Sequence, residues 1–213
     1  MHHLLIFTRF PVAGKAKTRL IPALGPEGAA KLHRCMTEHV VDAARAALRV
    51  LGARAGNLTI YCEGAPIESF RAWLGRDLRY AVQSGMDIGM RMRQAFEETF
   101  QAGADSVILV GSDLPELTSE ILLLAIEGLE GHDMAIGPAT DGGYYLIGMR
   151  SFHPELFEKI GWGTEKVLMQ TLDAARCLGL SFTELPVLSD VDRPEDLTRL
   201  ERIPDGLGRF LQK

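Results

Sequence analysis

Cysteine is scarce in this chain: three in 213 residues, at positions 35, 62 and 177, with no CxxC pair. An odd, scattered set builds neither a disulfide framework nor a zinc knuckle, and it predicts a reduced, cytoplasmic protein. Long apolar runs are missing too. None approaches the roughly 20 residues that a membrane helix needs, so no membrane span is expected. The opening MHHLLIFTRF has no cleavage pattern, and no signal peptide is expected. Positive charge is not in excess: 23 Lys and Arg against 28 Asp and Glu leave a net charge of -5. That balance excludes a general nucleic-acid binder. The six histidines form no HExxH pair, which excludes the common zinc hydrolase site. Neither GxGxxG nor GxSxG occurs, and a Walker A loop fails because Gly14-Lys15 is followed by Ala16.

Hydrophobic residues make up 46% of the chain and charged residues 24%, the ordinary balance of a globular protein. The length suits one domain over 1–213, large enough to bury most of its apolar surface. Strand-like runs are LLIFT (4–8), LTIYC (58–62), RYAVQ (79–83), SVILVG (106–111), DMAIGPA (133–139), GGYYLIGM (142–149) and FTELPVL (182–188). Helical stretches separate them: 26–51 stopped by Gly52, 66–74 stopped by Gly75, a helix capped by Asp87, one started by Thr118, 164–178, and one after Pro194. Strands alternating with helices predict an α/β fold, a mixed, mainly parallel sheet with helices on both faces. The runs on either side of Asp141-Gly142-Gly143 are too close for a crossover helix, so that pair is expected to be antiparallel.

Open α/β sheets bind ligands beyond the carboxyl ends of their strands, and four polar features follow strands here. Behind Thr8 comes a basic loop with Arg9, Lys15, Lys17 and Arg19 around Gly14, suited to a phosphate chain or else a solvated loop. Asp113, at the end of SVILVG, suits a Mg²⁺ site that takes its other oxygens from phosphate and water, or caps a turn through its side chain. Asp190 and Asp192 follow FTELPVL, as ligands or as a helix cap with Pro194 behind. Gly142 and Gly143 permit close backbone approach beside Asp141 and two tyrosines, or simply form a hairpin turn.

Six segments in order, FTRFPVAGKAKTRL, QSGMDIGMRM, VGSDLPELT, GPATDGGYYLIGM, WGTEKVL and DVDRPEDL, resemble the bacterial proteins described as radical-SAM/selenodomain-associated transferase 1. That family belongs to the nucleotide-diphospho-sugar transferase superfamily, with the GT-A fold. The basic loop is also similar to that of the guanylyltransferases of coenzyme F420 biosynthesis. The resemblance implies a nucleotide over the N-terminal half, with Thr8, Arg9, Lys15, Lys17 and Arg19 toward its phosphates. It places Gln83, Gly85 and Asp87 near the base or ribose, and Asp113 and Asp192 on a Mg²⁺ or Mn²⁺ ion. It sets Asp141, Gly142, Gly143, Tyr144, Trp162 and Thr164 around a small-molecule acceptor. The sequence reads Ser112-Asp113-Leu114 where glycosyltransferases of this fold carry DxD. It reads Phe10-Pro11-Val12-Ala13-Gly14 where sugar-phosphate nucleotidyltransferases carry a glycine-rich loop.

Two reactions follow. In nucleotidyl transfer an acceptor attacks the α-phosphorus of a nucleoside triphosphate, with Lys17 and Arg19 stabilising the charge. In glycosyl transfer the donor is a nucleotide-sugar, and Asp141 is the base for an acceptor hydroxyl. A nucleotide-binding module without catalysis is the third expectation.

Overall fold

The computed structural model describes residues 1–200; the expected single domain and its last helix run on into 201–213, outside the described residues. The strands are β1 (His2–Arg9), β2 (Ala55–Glu63), β3 (Arg79–Val82), β4 (Ser106–Gly111), β5 (Met134–Pro138), β6 (Tyr144–Met149) and β7 (Phe182–Glu184). The helices are α1 (Ile21–Leu51), α2 (Ile67–Leu74), α3 (Ile88–Gln101), α4 (Ser119–Gly131), α5 (Val167–Cys177) and α6 (Leu197–Leu200).

All seven strands form one sheet in the order β3-β2-β1-β4-β6-β5-β7. Only β6 runs against its neighbours, pairing antiparallel with β4 and β5, while every other pair is parallel. The sheet is therefore mixed and mainly parallel. Alternate residues of the central strands feed two cores. Leu4, Ile6, Ile108 and Val110 pack with α1 and α4, whereas Leu5, Phe7, Val107 and Leu109 pack with Met92, Ala95 and Phe96 of α3 and with α5. Burial on both faces is why these strands read as unbroken apolar runs.

The helix ends follow local chemistry. Asp87 accepts the Met90 N–H at the start of α3, and Thr118 accepts that of Ile121 at the start of α4. α1 has a break at Gly25, with φ 70° and ψ 167°, and the regular helix resumes at Pro26. α5 begins at Val167 rather than at Thr164: the Thr164 hydroxyl accepts the Lys166 N–H, and 164–166 form its entry turn. β7 stops at Glu184, four residues short of Leu188, the end of the expected run. Pro186 has no N–H for a ladder, and its carbonyl instead accepts the Tyr145 hydroxyl at 3.0 Å. The chain rejoins the sheet at the single bridge Ala139–Leu188.

A third, small core gathers Leu20, Leu32, Met36, Val191 and Leu200. It pins the basic loop and the segment after β7 to the same side of α1. The site is built on that arrangement.

Candidate active site at the carboxyl edge of the sheet

A cavity of about 600 Å³ opens over the carboxyl ends of β1, β2 and β4. The basic loop forms one wall. Ala16 and Leu20 are buried and anchor the stretch between them, so Lys17 turns inward. Its backbone is left-handed, φ 48° and ψ 48°, a conformation that disfavours any side chain. The Lys17 side chain is only 6% exposed, and its Nζ lies 2.9 Å from Asp113 Oδ2 and 3.6 Å from Asp192 Oδ1. Arg19 holds the other oxygen of Asp192. Lys15 is exposed, and its side chain has no ion-pair partner among the described residues.

The aspartates meet for a backbone reason. Val191 is fully buried, and its N–H donates to the Asp113 carbonyl at 3.2 Å. The loop carrying Asp190 and Asp192 is thereby tied to Asp113, two residues past the end of β4. Burial alone would raise the Asp113 carboxyl. The Lys17 ammonium and a hydrogen bond from His33 outweigh it and hold the group below the usual carboxylate range. Lys17 is raised in turn: burial opposes its charge, and Asp113 and Asp192 more than offset that. Asp190 is pushed up, chiefly by burial, with Lys17 pulling against it and Asp141, Asp192 and Asp113 adding to it.

The cavity is lined by Thr8, Arg9, Lys15, Lys17, Arg19, Gln83, Asp113, Asp141, Gly143, Tyr144 and Asp192, and also by His33, Glu63, Ser112 and Asp190. Several lining residues are already engaged. Arg9 and Arg91 clamp Glu63 from two sides, at 3.0 and 3.1 Å. The Gln83 amide donates to the carbonyls of Thr8 and Tyr61, joining three strand tips. The Thr8 hydroxyl pairs with Thr37 of α1 at 3.1 Å. Asp141 Oδ1 accepts the Gly143 N–H at 2.9 Å in a side-chain turn. Burial raises the Tyr144 phenol above its usual range.

Gly85, Asp87, Gly142, Trp162 and Thr164 lie outside this lining. Asp87 caps α3, and the Gly85 carbonyl accepts the Arg91 side chain at 3.2 Å. A Cβ on Gly142 would sit 2.2 Å from the Glu165 carbonyl oxygen, so this glycine serves contact with the entry to α5. Trp162 lies against Gly89 and edge-on to Tyr144, with ring centres 6.5 Å apart. Thr164 bonds to the Gly161 carbonyl at 2.7 Å. Among the functional-looking residues, His33 and Arg91 had no local signal: each sits in a helix at an ordinary position.

Among the described residues no cluster of three or more His, Cys, Asp or Glu side chains has metal-holding geometry. Between the two aspartates expected to share an ion stands the Lys17 ammonium. The oxygens of Asp113, Asp190 and Asp192 nevertheless have the hard-donor chemistry that Mg²⁺ or Mn²⁺ takes, and the Val191 bond keeps them at one edge.

Known proteins share this architecture. A solved structure from Desulfovibrio desulfuricans G20, assigned by name only as a nucleotide-diphospho-sugar transferase, is 36% identical, with a TM-score of 0.87 over 99% of this chain and 94% of its own. A manganese complex of a Mycobacterium tuberculosis H37Rv protein shares the fold at 18% identity, with a TM-score of 0.57 over 96% of this chain and 98% of its own. A curated relative, the phosphoenolpyruvate guanylyltransferase of Sphaerobacter thermophilus, is 27% identical over 190 residues, 87% of this chain and 86% of its own. Fold and relatives together define a transferase with a nucleotide-diphospho-sugar transferase-like fold. The chain belongs to the family described as "Uncharacterized protein conserved in bacteria (DUF2064)", which it matches over residues 40–164.

Proposed function

We propose that this chain, acting as one domain, transfers a nucleotidyl group, guanylyl foremost, from a nucleoside triphosphate to a small phosphorylated or hydroxyl acceptor. The observation that carries the reading is the arrangement of cations at the cavity: Lys17 held inward by two carboxylates, with Arg19 beside it and Lys15 exposed, with no ion-pair partner among the described residues. Three cations at one strand tip suit a triphosphate, whose charge grows on the leaving pyrophosphate. The guanylyltransferase relative supports GTP as the donor and a phosphate-bearing acceptor. The resemblance of the basic loop to that of the guanylyltransferases of coenzyme F420 biosynthesis points the same way.

In the reaction an acceptor oxygen forms a bond to the α-phosphorus while the bond to the bridging β-phosphate oxygen breaks, and pyrophosphate leaves. Asp113 and Asp192, with Asp190 beside them, would hold Mg²⁺, which supplies neutralisation of phosphate charge when bound. Lys15 and Arg19 bind the triphosphate tail and orient it. Lys17 presents its ammonium from a fixed backbone position. An acceptor that arrives as an anion needs no protein base.

The test is thermal shift with GTP, ATP, CTP, UTP and a UDP-sugar, each with and without Mg²⁺. GTP with Mg²⁺ is expected to stabilise most, by on the order of 2.7 kcal/mol at a hundredfold excess over Kd. That corresponds to roughly 5–10 °C for a domain of this size. Stabilisation by the UDP-sugar alone would overturn the reading in favour of glycosyl transfer.

That second reading has one observation behind it: the exposed Asp141 carboxylate at the cavity, with only one oxygen committed to Gly143. Asp141→Asn separates the two. In nucleotidyl transfer to a phosphate acceptor the expected loss is small and lies in acceptor KM. A kcat loss of roughly 10²–10⁴-fold, the contribution of a general base, would assign Asp141 that role and a neutral hydroxyl as nucleophile.

A further inference from the structure

We propose that His33 is a positioning residue for Asp113: its ring sets the carboxylate against the backbone of the phosphate loop and thereby governs how the site takes Mg²⁺ with nucleotide. The inference rests on the nucleotidyl-transfer reading above.

His33 comes from the second turn of α1 beyond Pro26 and is 4% exposed. Its Nδ1 lies 3.0 Å from Asp113 Oδ1, and its Nε2 lies 2.9 Å from the Arg9 carbonyl oxygen. Both partners are acceptors, and a ring nitrogen donates only where it carries a proton, so the tautomer decides which of the two contacts is a hydrogen bond in the neutral ring. Arg9 ends β1, and Asp113 follows β4, the neighbouring strand. The imidazole thus spans the tips of β1 and β4, whose loops carry the cations and Asp113.

Asp113 Oδ1 has no other hydrogen-bond partner among the described residues. The terminal torsion of an aspartate is broad and nearly two-fold, so a free carboxylate would rotate. With Oδ1 tied to His33, Oδ2 is left toward Lys17. A buried imidazole is costly to keep in an otherwise apolar position unless its nitrogens are satisfied, and here both are spent on the site. α1 does not depend on the ring for its attachment to β1. Thr37, one turn on, donates to the His33 carbonyl at 3.0 Å and pairs with Thr8.

Two substitutions divide the ring's contacts. The amide nitrogen of asparagine falls near the place of Nδ1, and that of glutamine near Nε2. His33→Asn keeps the Asp113 contact and gives up Arg9, and His33→Gln does the reverse. The measurement is the Kd of GTP by calorimetry, in Mg²⁺ and in EDTA, with the melting temperature alongside. His33→Gln is expected to weaken GTP binding in Mg²⁺ by about 10–100-fold, the usual cost of losing a partner of a metal-binding residue, with binding in EDTA unchanged. His33→Asn is expected to keep the wild-type ratio between the two conditions. If His33→Gln does not fold, His33→Asn decides alone, and a collapse of its Mg²⁺ ratio overturns the proposal. Two variants that lose melting temperature alike while both keep the wild-type ratio reduce His33 to packing and overturn it as well. A wild-type protein that binds no GTP under either condition overturns the guanylyl reading and this inference together. A wild type that binds GTP with Mg²⁺, beside variants that match it, overturns only the role of His33.

Discussion

Lys17→Met will lower turnover by roughly 10²–10³-fold, the usual cost of removing one preorganised donor to developing charge, and will lower the melting temperature as well. The ammonium is almost wholly buried between Asp113 and Asp192, whose side chains are 36% and 30% exposed. Removing one partner of a fully buried pair costs about 3–5 kcal/mol. Here the carboxylates can rehydrate in part, so the expected loss is nearer 1–3 kcal/mol. Asp190 makes the loss worse for binding, because it is already raised, first by burial and then by Asp141, Asp192 and Asp113 against the pull of Lys17. Lys17→Gly is the informative companion. It relieves the left-handed backbone, worth roughly 1–2 kcal/mol, yet removes the same ammonium. It should therefore recover part of the melting temperature and none of the turnover. A Lys17→Met protein with near wild-type kcat would return Lys17 to a structural ion pair.

The largest stability effect is expected from Gly142→Ala. Gly142 has φ +87°, and a Cβ there would lie 2.2 Å from the Glu165 carbonyl oxygen and 2.7 Å from its carbonyl carbon and Cα. The obstacle is backbone, and it cannot swing aside. Leu168 donates its N–H to the Gly142 carbonyl at 3.0 Å, which locks the turn between β5 and β6 onto the start of α5. Left-handed strain of roughly 1–2 kcal/mol adds to overpacking of about 1–3 kcal/mol. Together, about 2–5 kcal/mol, they predict a drop of roughly 4–20 °C in melting temperature for a chain of this size. Gly143→Ala is the contrast. Its φ is not positive, and the new Cβ would stand 3.1 Å from Asp141 Oδ1. It should cost less stability and act on the acceptor side through Asp141. Calorimetric melting of the pair checks both, and equal transitions would show that the turn is not held by Glu165.

Much of the architecture is legible without coordinates, because its causes are local. LLIFT and SVILVG are apolar at every position, as strands buried on both faces must be, and Leu4 and Leu5 do enter opposite cores. Asp87 and Thr118 mark helix starts through side chains that reach only three residues on. The short spacing across Asp141-Gly142-Gly143 leaves room for a turn and nothing longer, and β6 is the one antiparallel strand. Where the reading missed, a single residue overrode its run, as Pro186 does in ending β7 early.

The chain of residues by itself determined a mixed α/β sheet, a basic loop behind its first strand, and aspartates behind two later ones. Only the tertiary structure decided what those charges do to one another. Arg9 reads as a phosphate ligand in line with Lys15 and Lys17, yet it is bound to Glu63 on the next strand, which Arg91 of α3 also holds. His33 looks like any buried helical histidine until β4 brings Asp113, 80 positions away, against its ring. Arg19 and Asp192 meet across 173 positions, brought together by the packing of Val191 and Leu20 in one small core. Periodicity and caps act over a few residues, whereas the electrostatics of the site are set by strand order, and strand order is not written in any local pattern.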